Sequence, residues 1–195
     1  MSKTPTRPNI SLDTLNLSFK SPKSPAQDLS PVGKRLVTIL QRFVENYTAW
    51  LTAHRKGISI CRSIEKAKCK GFEKKIHFPE ELKPLCDDLD FLITHLEEIV
   101  KSCEEILKQI SALTKLEKED RPALRNWPMR KIDEFAGEAL VAFTEELNNK
   151  RLVKENIAFS NSHAELTHMI SIWEYKYFVD EKLSLGFSLL NAEIR

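Results

Sequence analysis

Glu165 and His168 set a carboxylate and an imidazole three residues apart, the spacing at which both project from one helix face toward a shared metal ion. Di-iron bundles need that pair on two helices together with two further carboxylates, and here it occurs once. It reads as a surface pair rather than a metal site. His54 falls on an apolar repeat and reads as a core or boundary histidine rather than a general base, while His77, His95 and His163 have no nearby Cys or second ligand. Cys61, Cys69, Cys86 and Cys103 lack the C-x2-C spacing of zinc sites. The glycine-rich loops whose backbone cradles phosphates, G-x-G-x-x-G and G-x-x-x-x-G-K-[ST], are missing too. The expectation is therefore no catalytic residue, no metal ligand and no cofactor.

Modification chemistry is better represented. Thr4-Pro5-Thr6-Arg7 fits the proline-then-basic pattern of cyclin-dependent kinases, and Ser21, Ser24 and Ser30 each precede proline. Phosphate at any of these sites adds close to two negative charges at pH 7. A cyclin-docking pattern at Lys34-x-Leu36-Val37 recurs at Lys150-x-Leu152-Val153, so it carries little information. These phosphorylation candidates sit in a Ser/Thr/Pro-rich stretch, residues 1–31, that reads as a disordered tail. Its Ile10, Leu12, Leu15, Leu17 and Phe19 are too sparse for a core, and form either a short docking motif or part of a tether with no partner.

The rest of the chain reads as helices. Leu82, Leu85, Leu89, Leu92, Leu96, Ile99, Cys103, Ile106, Ile110 and Leu113 fill ten successive heptad sites in alternating steps of three and four. That mean period of 3.5 residues keeps one helix face turned toward a partner helix. A preceding run, Leu36, Leu40, Phe43, Tyr47, Trp50, His54, Gly57, Cys61 and Ile64, has the same steps, and Gly57 marks a close crossing or a kink. The two predict a long antiparallel hairpin over residues 32–118, turning near Gly71 to Pro79. Pro122 and Trp127-Pro128 break the helix. A C-terminal helical segment, 119–195, follows: one helix on Ile132, Phe135, Ala139, Phe143 and Leu147 fading near Ile157, a short one from Ser160-Asn161-Ser162 through Tyr177, and a last one capped by Asp180. The fold class is all-α.

Composition agrees. Glycine and proline are few, at 5 and 9 of 195 residues, and 30% of residues are charged, which suits long helices. The formal net charge of +2 argues against whole-protein affinity for nucleic acid. From Arg55 to Lys75 there are eight Lys or Arg against two acids, and from Glu80 to Glu105 nine acids against two Lys. Laid side by side across the hairpin, these blocks are expected to neutralise each other, leaving no nucleic-acid patch. No apolar run approaches the roughly 18 residues needed to span a bilayer, so no membrane association is expected. Cys61 and Cys103 at apolar heptad positions point to reduced thiols and a reducing compartment. Trp50, Trp127 and Trp173 read as core residues or interface anchors. Trp127, Trp173, Tyr177 and Phe178 together are more aromatic than a short helical segment needs for its own core, and are candidates for partner binding.

Four motifs in the C-terminal half occur in a distinctive order: Trp127-Pro128, then Glu146-Leu147-x-x-Lys150-Arg151-x-Val153, then Ile170-Ser171-x-Trp173, then Leu183-x-Leu185-x-x-x-Leu189-Leu190. With Glu81-Leu82-x-x-Leu85-Cys86-x-x-Leu89 upstream, the chain from Val32 onward resembles the cyclin-dependent kinase 2-interacting protein family. It departs from that family in a shorter linker without an acidic, serine-rich insert, and in Tyr177 where relatives can have proline. The resemblance implies a non-enzymatic nuclear adaptor. Its implied partners are a companion small helical subunit, an AAA+ ATPase assembly serving replisome protein turnover and large ribosomal subunit maturation, cyclin-dependent kinase and Cdc7 kinase complexes, and the ATR-interacting protein of the checkpoint. The heptads by themselves equally suit a structural coiled-coil tether or a homodimeric scaffold subunit.

Overall fold

The computed structural model describes residues 31–73, 76–116, 123, 124 and 126–195. The phosphorylation candidates Thr4, Ser21, Ser24 and Ser30 lie outside them. The described residues form helices α1 (Pro31–Glu73), α2 (Leu82–Leu116), α3 (Met129–Asn156), α4 (His163–Glu174) and α5 (Glu181–Glu193), with a 3₁₀ turn at Ile157–Phe159 after α3. The all-α class and the long α1–α2 hairpin are as the heptads predict.

Helices α1 and α2 run antiparallel, with Asn46 Nδ2 donating to Ser102 Oγ at 2.9 Å and lying 3.6 Å from Cys103 Sγ. Nine of the ten seam residues are buried, and Leu85 near the start of α2 is half-buried. The hairpin does not stand alone. α3 returns antiparallel along α2, joined by Ser111 Oγ donating to Asp133 at 2.6 Å, Arg151 to Glu97 at 2.7 Å and Lys154 to Asp90 at 3.1 Å. α2 thus packs against both α1 and α3. A second apolar row explains how it does so. Cys86, Ile93, Val100 and Leu107 repeat every seven residues, share a helix face with Asp90, Glu97 and Ser111, and are buried or half-buried.

Among the described residues, the ion pairs do not join the two charge blocks as expected. Asp90 and Glu97 of α2 pair with α3, while Arg62 of α1 pairs with Glu174 of α4 at 2.6 Å and with Glu65 at 3.2 Å. The acidic face of α2 is turned toward α3 because the second apolar row draws α3 to that side.

Helices α4 and α5 fold back on α1. Ser162 caps α4, its hydroxyl accepting from Glu165 N at 3.2 Å while Glu165 Oε2 accepts from Asn161 N at 2.7 Å, a reciprocal capping arrangement. Asp180 caps α5 by accepting from Leu183 N at 2.8 Å. Near the α3 end of the bundle, Phe43, Tyr47, Trp50, Phe135, Phe143 and Phe187 make one aromatic cluster, with Tyr47 and Phe187 stacked at 4.1 Å. Tyr47 also donates to Ser184 Oγ at 2.8 Å, which fixes α5 to α1. No described helix is long and apolar enough to cross a membrane.

Candidate partner-docking surface

The motif residues that look most like chemistry hold the bundle together. Glu146 and Lys150 lie one turn apart on α3 with fully buried side chains, and Lys150 Nζ donates to Glu146 Oε1 at 2.5 Å and to the carbonyl of Trp173 at 2.7 Å. The ammonium so caps the last turn of α4, where unsatisfied carbonyls and the helix dipole favour a cation. Glu146 Oε2 accepts from Phe178 N at 3.1 Å. These bonds end α4 at Glu174 and turn the chain into extended backbone at Tyr175, so α4 stops short of the expected Tyr177. Burial pulls Lys150 below the usual lysine range, with Glu146 opposing.

Trp173 belongs to this knot rather than to a surface. It is fully buried, its Nε1 donates to the carbonyl of His54 at 3.1 Å, and Lys150 Nζ lies 5.2 Å from its ring. Trp127 is also interior, packed edge-on against Phe135 at 5.5 Å with Lys131 Nζ 4.6 Å over its ring. For Trp173 the expectation of a partner anchor is corrected, since its indole faces the chain's own interior and a partner does not reach it without opening the bundle, whereas Trp127 packs inward and also lines an open groove. Trp50 is likewise buried, and its Nε1 has no hydrogen-bond partner among the described residues.

The remaining chemical candidates are placed as follows. His54 is buried, and its pKa is lowered to about 4 by desolvation first, then by Lys150, Lys176 and Arg55. Glu165 is occupied with the cap of α4 and His168 is exposed. His163 does have a cysteine beside it in space, Cys69 Sγ at 3.3 Å from Nδ1. Burial and then Glu65 and Glu73 raise that thiol's pKa, the opposite of what a reactive thiolate needs. Cys61 and Cys103 are pushed to about 12, chiefly by burial, and all four cysteines are free. Among the described residues no group of three or more His, Cys, Asp or Glu is placed to hold a metal ion.

Tyr177 and Phe178 lie where the sequence places them to best effect, on the surface, together with Tyr175. Beside them runs an open groove of about 520 Å³ between α3 and α5. Its floor is Trp127 and Phe135, and its apolar rim is Phe178, Leu185 and Leu189. Leu185 and Leu189 are 60% and 49% exposed, whereas Leu183 and Leu190 of the same motif are buried against the bundle. At Gly186 α5 approaches α3 closely: a Cβ there would lie 2.3 Å from the Phe135 ring. Leu185 and Leu189 escape a reading by residue type, since leucines one turn apart look the same buried or exposed. The usable signal is the excess of apolar faces on α5, which has Leu183, Phe187 and Leu190 for its core and two further leucines off that stripe.

Neither a protein-family model nor a curated protein matches this chain.

Proposed function

We propose that this chain is a non-enzymatic adaptor that receives an apolar segment of another subunit in the groove between α3 and α5. The observation that carries this reading is the exposed apolar trio Phe178, Leu185 and Leu189 beside an aromatic floor, flanked by Lys131, Glu134, Glu138, Asp180 and Lys182, on a bundle whose heptad seam is already filled from within. Contiguous exposed apolar surface on a closed bundle is the usual mark of an interaction site. The resemblance to the cyclin-dependent kinase 2-interacting protein family supplies the setting: a nuclear subunit that joins a companion small helical protein and an AAA+ ATPase, and that connects to cyclin-dependent kinase and Cdc7 kinase complexes and the ATR-interacting protein. Roles in replication, checkpoint signalling and ribosome maturation belong to the same proposal.

The alternative, a homodimeric tether joined through residues 82–113, is less well supported, since that seam is buried within one chain and α3 takes the second apolar row of α2. Affinity purification from nuclear extract, comparing the wild type with Leu185→Asp/Leu189→Asp, tests the adaptor reading. Wild-type recovery of an AAA+ ATPase with a small helical subunit, lost in the double variant, is the expected result. Equal recovery by both would overturn the groove as the docking surface.

A further inference from the structure

Resting on the reading of the α3–α5 groove as a docking surface, we infer that its occupant is an α-helix of a different protein, and that the face this helix presents is apolar and free of charge.

Backbone chemistry selects a helix. The walls of the groove are themselves helices, α3 and α5, whose N–H and C=O groups bond along their own axes. The loop at the start of α5 also spends its backbone inward: Phe178 N donates to Glu146 Oε2 at 3.1 Å, and the carbonyl of Asp180 accepts from Ser184 N at 3.1 Å. No strand edge is present among the described residues. An extended segment laid over the apolar floor would therefore bury N–H and C=O groups with nothing to pair them, each at the cost of a lost hydrogen bond. A proline-rich segment escapes only half of that penalty, because its carbonyls still require donors. A helix arrives with its backbone already paired.

Charge on the walls is settled within the chain. The groove presents Lys131 and Lys182 against Glu134, Glu138 and Asp180. Lys131 Nζ lies 4.6 Å over the Trp127 ring, and Glu134 Oε1 accepts from Arg130 at 2.9 Å. Glu138 lies 3.8 Å from Lys182, and Asp180 accepts from Leu183 N as the cap of α5. Counting Arg130, three cations stand against three carboxylates, so the rim has no net charge with which to steer or hold a charged ligand. What remains without a partner is apolar: Phe178, Leu185 and Leu189.

Dimensions fix the pattern of the docking face. The groove follows α3 from Lys131 to Ala142, about 16 Å or three helical turns at 1.5 Å per residue. Leu185 and Leu189 stand one turn apart on α5 and form a ridge along it. A helix laid beside that ridge meets it with residues of its own at i, i+3 or i+4, and i+7.

Selection from random peptides tests this. Displayed peptides of about 16 residues, long enough to fill the groove as a helix, are selected on the full chain and counter-selected on Leu185→Asp/Leu189→Asp. Both substitutions fall on exposed positions, and Leu185→Ser/Leu189→Ser is the second counter-target if the charged variant unfolds. Groove-dependent peptides are expected to carry apolar residues at i, i+3 or i+4, and i+7 with no charge on that face, and to gain helical circular dichroism on binding. Their affinity should change by less than about threefold between about 0.05 M and about 0.5 M salt. Groove-dependent peptides with two-residue alternation, a P-x-x-P pattern or a charged docking face, or a larger salt dependence, would overturn the helical, uncharged occupant and leave the docking surface standing. No groove-dependent peptide at all would remove the docking surface itself, and the occupant with it. A wild-type chain that self-associates, and ceases to do so in the double variant, would make the occupant a second copy and overturn the proposal.

Discussion

The indole of Trp173 fills the space that a side chain on Gly57 would need: a Cβ built there lies 2.0 Å from Cζ2 and 2.6 Å from Nε1. The Nε1 proton goes to the carbonyl of His54, three residues earlier on α1, at 3.1 Å. The close crossing anticipated at Gly57 is thus the seat of α4 on α1.

This contact reverses the normal sign of a helical substitution. Gly→Ala inside a helix ordinarily stabilises by about 1 kcal/mol, and Gly137, with nothing within 4 Å of its Cβ position, should behave that way. Gly57→Ala must instead displace the Trp173 ring and should lower the melting temperature. Trp173→Ala should also destabilise, by about 3 to 5 kcal/mol, because it empties an interior site. Thermal melts of the three variants check the pattern, and a Gly57→Ala protein as stable as Gly137→Ala would refute the crossing.

His54 makes stability depend on acid. Its imidazole is held at about 4 in the folded chain against 6.5 as its ordinary value, so between those pH values the unfolded state binds more protons. The contribution is whole above pH 6.5 and fades as pH falls toward 4. Its full size is about 3 kcal/mol. Denaturant titrations of wild type and His54→Gln from pH 7 to pH 4 should show a shallower loss in the variant; parallel curves would show that His54 is not the group responsible.

Lys150 and Glu146 form a buried pair, and breaking one side leaves the other charge unpaired. Lys150→Met should cost about 3 to 5 kcal/mol. Adding Glu146→Gln should recover part of that loss, since Gln still offers an acceptor to Phe178 N. Equilibrium unfolding of the single and double variants measures both effects.

Along the seam, burial grades the expected damage. Leu96→Ala and Leu92→Ala, at 0% and 3% exposure, should each cost about 2 to 5 kcal/mol. Leu85→Ala, half-buried at the start of α2, should cost clearly less. Calorimetric melts that rank Leu85 with the other two would place the seam elsewhere.

The helical class and the α1–α2 hairpin are legible in the sequence because a 3.5-residue repeat sustained from Leu82 to Leu113 admits no other regular structure. The caps at Ser162 and Asp180 are legible for a similar reason, as a short polar side chain before an apolar periodic run has a local use. The place of α3 is harder to read. Its signal, the second row through Cys86, Ile93, Val100 and Leu107, is interleaved with acids that suggest a solvent-facing surface. Trp173 is harder still: an indole serves a core or an interface equally well, and only the absence of a side chain on distant Gly57 decides which. The groove leucines, Leu185 and Leu189, depend in turn on how closely Gly186 lets α5 approach Phe135, a tertiary fact with no local signature.

The 82–113 seam is consumed inside one chain, so the proposed docking of a partner needs another face. Size-exclusion chromatography with light scattering on the full-length protein tests this most directly. The expected mass is 22.5 kDa, unchanged on dilution. A stable species of twice that mass, dissociated by Leu96→Asp without unfolding, would contradict it and restore the homodimeric tether.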